Sequence, residues 1–154
     1  MKFIENDGGR AFAGYKGEAG DCVTRAIAIA TESEYDVVYD ALRARSVEYG
    51  EMKYNRVARR IQAKGSSPRN GSFKEVYRPY LESLGWKWIP TMGIGTGCKV
   101  HLKSEELPAG RLIVRVSKHI TAVIDGVLHD TYDCSREGMR CVYKSFLTFV
   151  RGLF

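Results

Sequence analysis

Apolar residues in the first half of the chain recur at helical intervals. Val23, Ala26, Ile27 and Ala30 stand at i, i+3, i+4 and i+7, which predicts a helix from Cys22 to Thr31 with one buried face. Asp21 occupies the N-cap position ahead of it. Tyr35, Val38, Tyr39 and Leu42 repeat the stripe, and Ser33 followed by Asp36 reads as a variant capping box for a second helix. Tyr54 to Ala63 is compatible with helix but has only Val57 and Ile61 as apolar anchors. Ser72 and Glu75 form another capping box, ahead of Val76, Tyr80, Leu81 and Leu84. Pro79 is expected to kink or split that helix, and Gly85 to end it.

From Trp86 onward the pattern changes to short extended runs. Trp86 to Pro90, Val100 to Leu102 (the weakest), Arg111 to Val116, His119 to Ile124 and Val127 to Thr131 read as strands. Val142 to Val150 adds a further strand or mixed segment. Asp125-Gly126 between two such runs signals a tight type I′ hairpin. Residues 1–20, rich in glycine and polar side chains, read as an irregular lead-in, and Gly65 to Gly71 as a loop. Helices first and an antiparallel sheet second give an α+β fold. No internal repeat is visible.

At 154 residues the chain suits one domain, 1–154, with a real core. A hydrophobic share of 44% and a charged share of 27% are those of a soluble globular protein. The first ten residues lack the apolar stretch of a signal peptide, and the run Ala26–Ala30 is far too short to span a bilayer, so a cytoplasmic protein with no membrane partner is expected. Four cysteines at 22, 98, 134 and 141 are then expected as thiols, with Cys134–Cys141 the pair to close in an oxidising setting. Of the net charge of +6, most lies between Glu51 and Gly71, where Lys53, Arg56, Arg59, Arg60, Lys64 and Arg69 face Glu51 alone. Such a tract is either a solvated face or a contact for nucleic acid, an acidic partner or an acidic substrate. Tyr54 is its single ring, which argues against base stacking.

The hairpin places two chemically useful residues together. A two-residue loop at 125–126 sets Ile124 opposite Val127 and Thr121 opposite Asp130. His119, Thr121 and Val123 then share a face with Leu128, Asp130 and Tyr132, and Asp130 is the diagonal neighbour of His119, within reach of its imidazole. His129 points the other way. Cys22 opens the first helix, where free backbone N–H groups and the helix dipole favour a thiolate. A base oriented by an acid, beside a thiol at a helix mouth, is the outline of a nucleophilic triad.

A cysteine opening the first helix, a histidine at the start of a later strand and an acid on the next strand resemble the papain-like cysteine peptidases. Asp21-Cys22 with the small-residue helix behind it is most similar to the C39-type branch that processes bacteriocins. Gly20 to Thr31 and the block Leu107 to Asp130 also resemble uncharacterised phage-encoded proteins, which implies action in the host cytoplasm. The resemblance implies a papain-like fold and a peptidase with Cys22 as nucleophile, His119 as base and Asp130 as orienting acid, acting on peptide or isopeptide bonds. It does not cover the basic tract. The oxyanion-binding glutamine that such enzymes carry six residues before the cysteine is here Lys16, and the one glutamine in the chain is Gln62. Lys16 or Asn6 would have to take its place.

Each residue also has a plainer reading: Cys22 as a small core residue, His119 as a structural histidine, Asp130 as a turn cap. Cys98-Lys-Val-His101 has the spacing of half a zinc site but no matching second half, and Gly93-Ile-Gly95-Thr-Gly97 lacks the lysine of a phosphate loop, so neither a metal nor a cofactor is expected. The function expected is a thiol hydrolase. Its rivals are a deamidase or acyltransferase on the same triad, and an inactive papain-like module that binds through 51–71.

Overall fold

The computed structural model describes residues 1–149, and its side chains Lys144 and Phe146 are left aside. Four helices, α1 (Cys22–Thr31), α2 (Tyr35–Met52), α3 (Arg56–Lys64) and α4 (Lys74–Ser83), precede most of the sheet. The strands are β1 (Lys2–Glu5), β2 (Trp86–Pro90), β3 (Arg111–Val116), β4 (His119–Ile124), β5 (Val127–Asp130) and β6 (Val142–Phe149), in the order β1-β5-β4-β3-β6-β2. The fold is α+β. The six-stranded sheet is mixed rather than antiparallel, because β1 runs parallel to β5, with Lys2 beside Val127 and Glu5 beside Asp130.

That strand was expected to be part of an irregular lead-in. It has four residues at a sheet edge, only one of them half-buried, so it carries no alternation to read. The rest of the lead-in does turn irregularly, and its Tyr15 ring packs on Tyr35 and Tyr39 of α2 at 5.0 and 4.8 Å.

The expected α1 stripe packs onto β4 and, with Val38, Leu42 and Leu81, buries Ile113, Ile120, Ala122 and Leu147 of the sheet. The opposite face carries Leu112, Val114, Val116, Val123 and Leu128, covered by Leu102, Leu107 and Cys134 from the loops. The β4–β5 hairpin has the anticipated register, Ile124 opposite Val127. Asp125 and Gly126 both have positive φ, 48° and 77°, as a type I′ turn demands.

Several local expectations fail for identifiable reasons. Neither capping box forms. Ser33 gives way to Glu34 as N-cap and its hydroxyl accepts from Thr31, while Phe73 rather than Ser72 precedes α4. Pro79 stays inside an unbroken α4, because Glu75, whose carbonyl loses its N–H partner, faces solvent. Tyr77 takes the buried place expected of Leu84, which is exposed. Val100 to Leu102 contributes only a single bridge, His101 to Cys141. Val150 lies outside the described residues.

The cysteine expectation is also corrected: Cys98 and Cys141 form a disulfide, and Cys134, the anticipated partner of Cys141, is a buried free thiol. The bridge from His101 to Cys141 brings the two segments together, with Cα atoms of the disulfide 5.9 Å apart. The crosslink spans 43 residues, and loop-closure entropy puts its contribution at about 4 kcal/mol. A Cys98→Ser/Cys141→Ser variant is therefore expected to unfold at lower urea, with a steeper slope because its unfolded chain is less compact. A midpoint equal to that of the oxidised protein would show that the bridge constrains nothing.

Candidate active site

Asp21 is the N-cap of α1 but its carboxylate accepts no cap bond; the side chain is wholly buried and points into a set of ionic partners. Arg10 Nε lies 3.0 Å from Oδ2, Arg25 one helical turn on pairs with Oδ1, and the Tyr35 hydroxyl donates to Oδ2. Burial and the Asp21 carboxylate together push the Tyr35 phenol upward, so it remains a donor. Arg25 also extends Nη2 to 3.8 Å from Asp130 Oδ1. One guanidinium thus ties the start of α1 to the end of β5. Only the Asp21–Arg25 spacing was visible in sequence; Arg10 and Tyr35 reach Asp21 through tertiary folding.

The structure brings the three predicted residues, Cys22, His119 and Asp130, into one site. His119 opens β4, and its Nε2 lies 2.7 Å from Asp130 Oδ2, as the hairpin register required. Thr131 N–H donates to Asp130 Oδ1 at 2.7 Å. His129 is on the other face, within 3.4 Å of the Asn6 amide. Burial opposes charge on the ring, but hydrogen bonds to Asp130, Cys134 and Cys22 outweigh it and raise the His119 pKa to about 12. Burial likewise raises Asp130, but the bond and charge of His119, with hydrogen bonds from Thr121 and the Thr131 N–H, together outweigh it, so the carboxyl lies below its ordinary value.

Cys22 is half-buried in the first turn of α1, which contains no acidic side chain. Desolvation pushes its thiol up. The hydrogen bond and charge of His119 pull it down further, helped by the Ile120 N–H and the Arg25 charge, so the net shift is downward. Asp21 does not oppose the thiolate, because Arg10 and Arg25 neutralise it. With Nε2 committed to Asp130, Nδ1 is the ring nitrogen left for the sulfur.

An open cleft of about 380 Å³ lies over Cys22 and His119, walled by Ser72, Phe73, Tyr77, Arg115 and Lys118. Ser72 Oγ is buried there with no partner among the described residues. Neither substitute for the glutamine is at the cleft. Lys16 is exposed and its carbonyl is held by Arg10 and Arg69, while Asn6 is engaged with His129 and the Gly8 N–H. Ser72 and Cys134 had no sequence signal for the site, since each approaches from a loop far along the chain.

The six basic residues of 51–71 are exposed, Lys53 at the end of α2 and the other five along α3 and the loop after it. Ala58 and Ile61 bury the inner face of α3. Arg69 is spent on the Lys16 and Glu18 carbonyls, and Arg60 sits over the Phe73 ring. Among the described residues no helix is long and apolar enough to cross a membrane. No family model, curated protein or solved structure matches the chain.

The electrostatics set a reactivity order. Cys22 should react with iodoacetamide with a midpoint below the ordinary thiol value of about 8.5, while Cys134, 2% exposed, lags. His119→Gln should move that midpoint up. Equal rates for the two thiols, followed by mass spectrometry, would remove Cys22 as an activated nucleophile. Asp21→Ala leaves buried cations uncompensated and is expected to cost about 3–5 kcal/mol in urea unfolding. A loss under about 1 kcal/mol would mean that the ionic cluster is dispensable.

Proposed function

We propose that this chain is a thiol hydrolase of the papain-like kind, a cysteine peptidase that cleaves peptide or isopeptide bonds. The observation that carries this reading is Cys22 at a helix mouth, its thiol lowered by an imidazole that Asp130 holds at 2.7 Å from the neighbouring strand. The thiolate–imidazolium pair is the reactive species. Cys22 Sγ attacks the substrate carbonyl, the Cys22 N–H at the open end of α1 steadies the oxyanion, and His119 gives its Nδ1 proton to the leaving amine. Water, deprotonated by the same nitrogen, then releases the acid and regenerates the thiol pair. Asp130 keeps the ring in the required orientation throughout.

Ser72 is the side chain suited to the second oxyanion donor in place of the absent glutamine, because its hydroxyl is unspent and borders the cleft. The resemblance to phage-encoded proteins makes a bacterial host cytoplasm the setting of this proposal. A reducing cytosol keeps Cys98 and Cys141 as thiols, whereas an oxidising compartment closes them.

A deamidase on the same triad would release ammonia with no new amine terminus, so the two products separate the reactions. The basic segment supports a binding role less well, because Arg60 and Arg69 already serve the fold. Turnover of a quenched-fluorescent peptide library is expected for the wild-type chain and none for Cys22→Ala. His119→Gln should fall by about 10²–10⁴-fold. A Cys22→Ala protein that retains full turnover would end the proposal.

A further inference from the structure

Cys134 performs no step of the reaction proposed above, yet its sulfur lies against the acid of the site. Sγ is 3.8 Å from Asp130 Oδ2, the same oxygen that His119 Nε2 approaches at 2.7 Å. One ligand atom from each of His119, Asp130 and Cys134 falls within 4.8 Å of the other two, and this is the sole such group of three among the described residues. We propose that these three side chains form a binding site for a thiophilic divalent cation of the zinc type, whose occupancy switches the thiol site off.

The donor set and spacing both fit. Tetrahedral zinc, with bonds of about 2.0–2.3 Å, holds its ligand atoms roughly 3.3–3.6 Å apart, so the His–Asp contact need open by only about half an ångström. One imidazole nitrogen, one carboxylate oxygen and one thiolate suit zinc, whereas magnesium and calcium prefer all-oxygen sets. The outer contacts are in place. Thr131 N–H and the Arg25 guanidinium occupy Asp130 Oδ1 and leave Oδ2 for the metal. Arg140 holds the Cys134 carbonyl at 3.3 Å, and Asp133 ties the Ser135 N–H and hydroxyl, so the turn bearing Sγ is braced. Tyr132 is half-exposed, with its ring 5.3 Å from that of His119. The Arg25 charge lies on the Oδ1 side, 3.8 Å from that oxygen.

Binding displaces two protons, one from His119 Nε2 and one from Cys134 Sγ. A metal-bound neutral imidazole carries its remaining proton on Nδ1, and giving that proton to the leaving amine would leave a metal-bound imidazolate. The ring can then no longer pass a proton to the amine and take one back from water. This regulatory half rests on the proposed hydrolase reading; the metal site itself does not.

The probe is cobalt(II), followed by zinc, added to metal-free protein with the Cys98–Cys141 bridge closed. A sulfur-to-cobalt charge-transfer band saturating at one equivalent is expected for the wild type and for Cys22→Ser. Cys134→Ser should lose the band and bind zinc at least about tenfold more weakly in competition with a chromogenic chelator. NMR of unaltered protein with labelled histidine should show zinc shifting His119 rather than His101, which keeps the question open to decision if Cys134→Ser unfolds. No band in the wild type, or a band that persists in Cys134→Ser, overturns the site. Hydrolysis undiminished at saturating zinc overturns the switch. A metal-free protein without hydrolysis but with the band refutes the hydrolase reading and leaves the metal site supported.

Discussion

The bond from His119 Nε2 to Asp130 Oδ2 crosses from β4 to β5, and the candidate site is arranged around it. It exists because a two-residue turn at Asp125-Gly126 pins the register, and a slip of one residue would send Asp130 to the other face. The parallel edge strand β1 pairs with β5 up to Glu5 opposite Asp130, so the acid sits on a strand that is bonded on both sides. From that anchor the imidazole lies against the thiol of Cys22, and its hydrogen bond and charge draw the thiol pKa down.

A second constraint holds the thiol where the ring can reach it. The helix start is oriented by a buried carboxylate, Asp21, rather than by a conventional side-chain cap. Arg25 shares its charge between Asp21 and Asp130, joining the helix that carries the sulfur to the strand that carries the acid. Buried ion pairs of this kind contribute little net stability but impose geometry, because any rearrangement strands a charge away from water. The lead-in segment, anchored by Tyr15 on the rings of α2, supplies Arg10 to the same cluster. Residues that look like a loose N-terminal tail are thus part of what fixes the site.

The four cysteines divide into three environments. Cys22 is half-exposed and electrostatically activated, Cys134 is buried against the acid, and Cys98 with Cys141 closes a loop over the sheet. Identical side chains differ here only in what surrounds them, and that surrounding is assembled from segments distant in sequence. The same holds for the cleft, where Ser72 from the loop before α4 faces residues of α1 and the β3–β4 turn.

Elements with strong local signals were legible in the amino-acid sequence: the apolar stripe of α1, the runs of β3 and β4, and the type I′ hairpin whose period-two alternation put His119 and Asp130 on one face. Helix and strand periodicity act over a few residues, so a single chain displays them. Contacts between distant segments have no such trace. The β1–β5 pairing, the Cys98–Cys141 bridge, the unbroken α4 through Pro79, the Arg10–Tyr35 clamp on Asp21 and the approach of Cys134 to Asp130 were decided by packing. Each of them depends on surroundings that exist only once the chain has closed on itself.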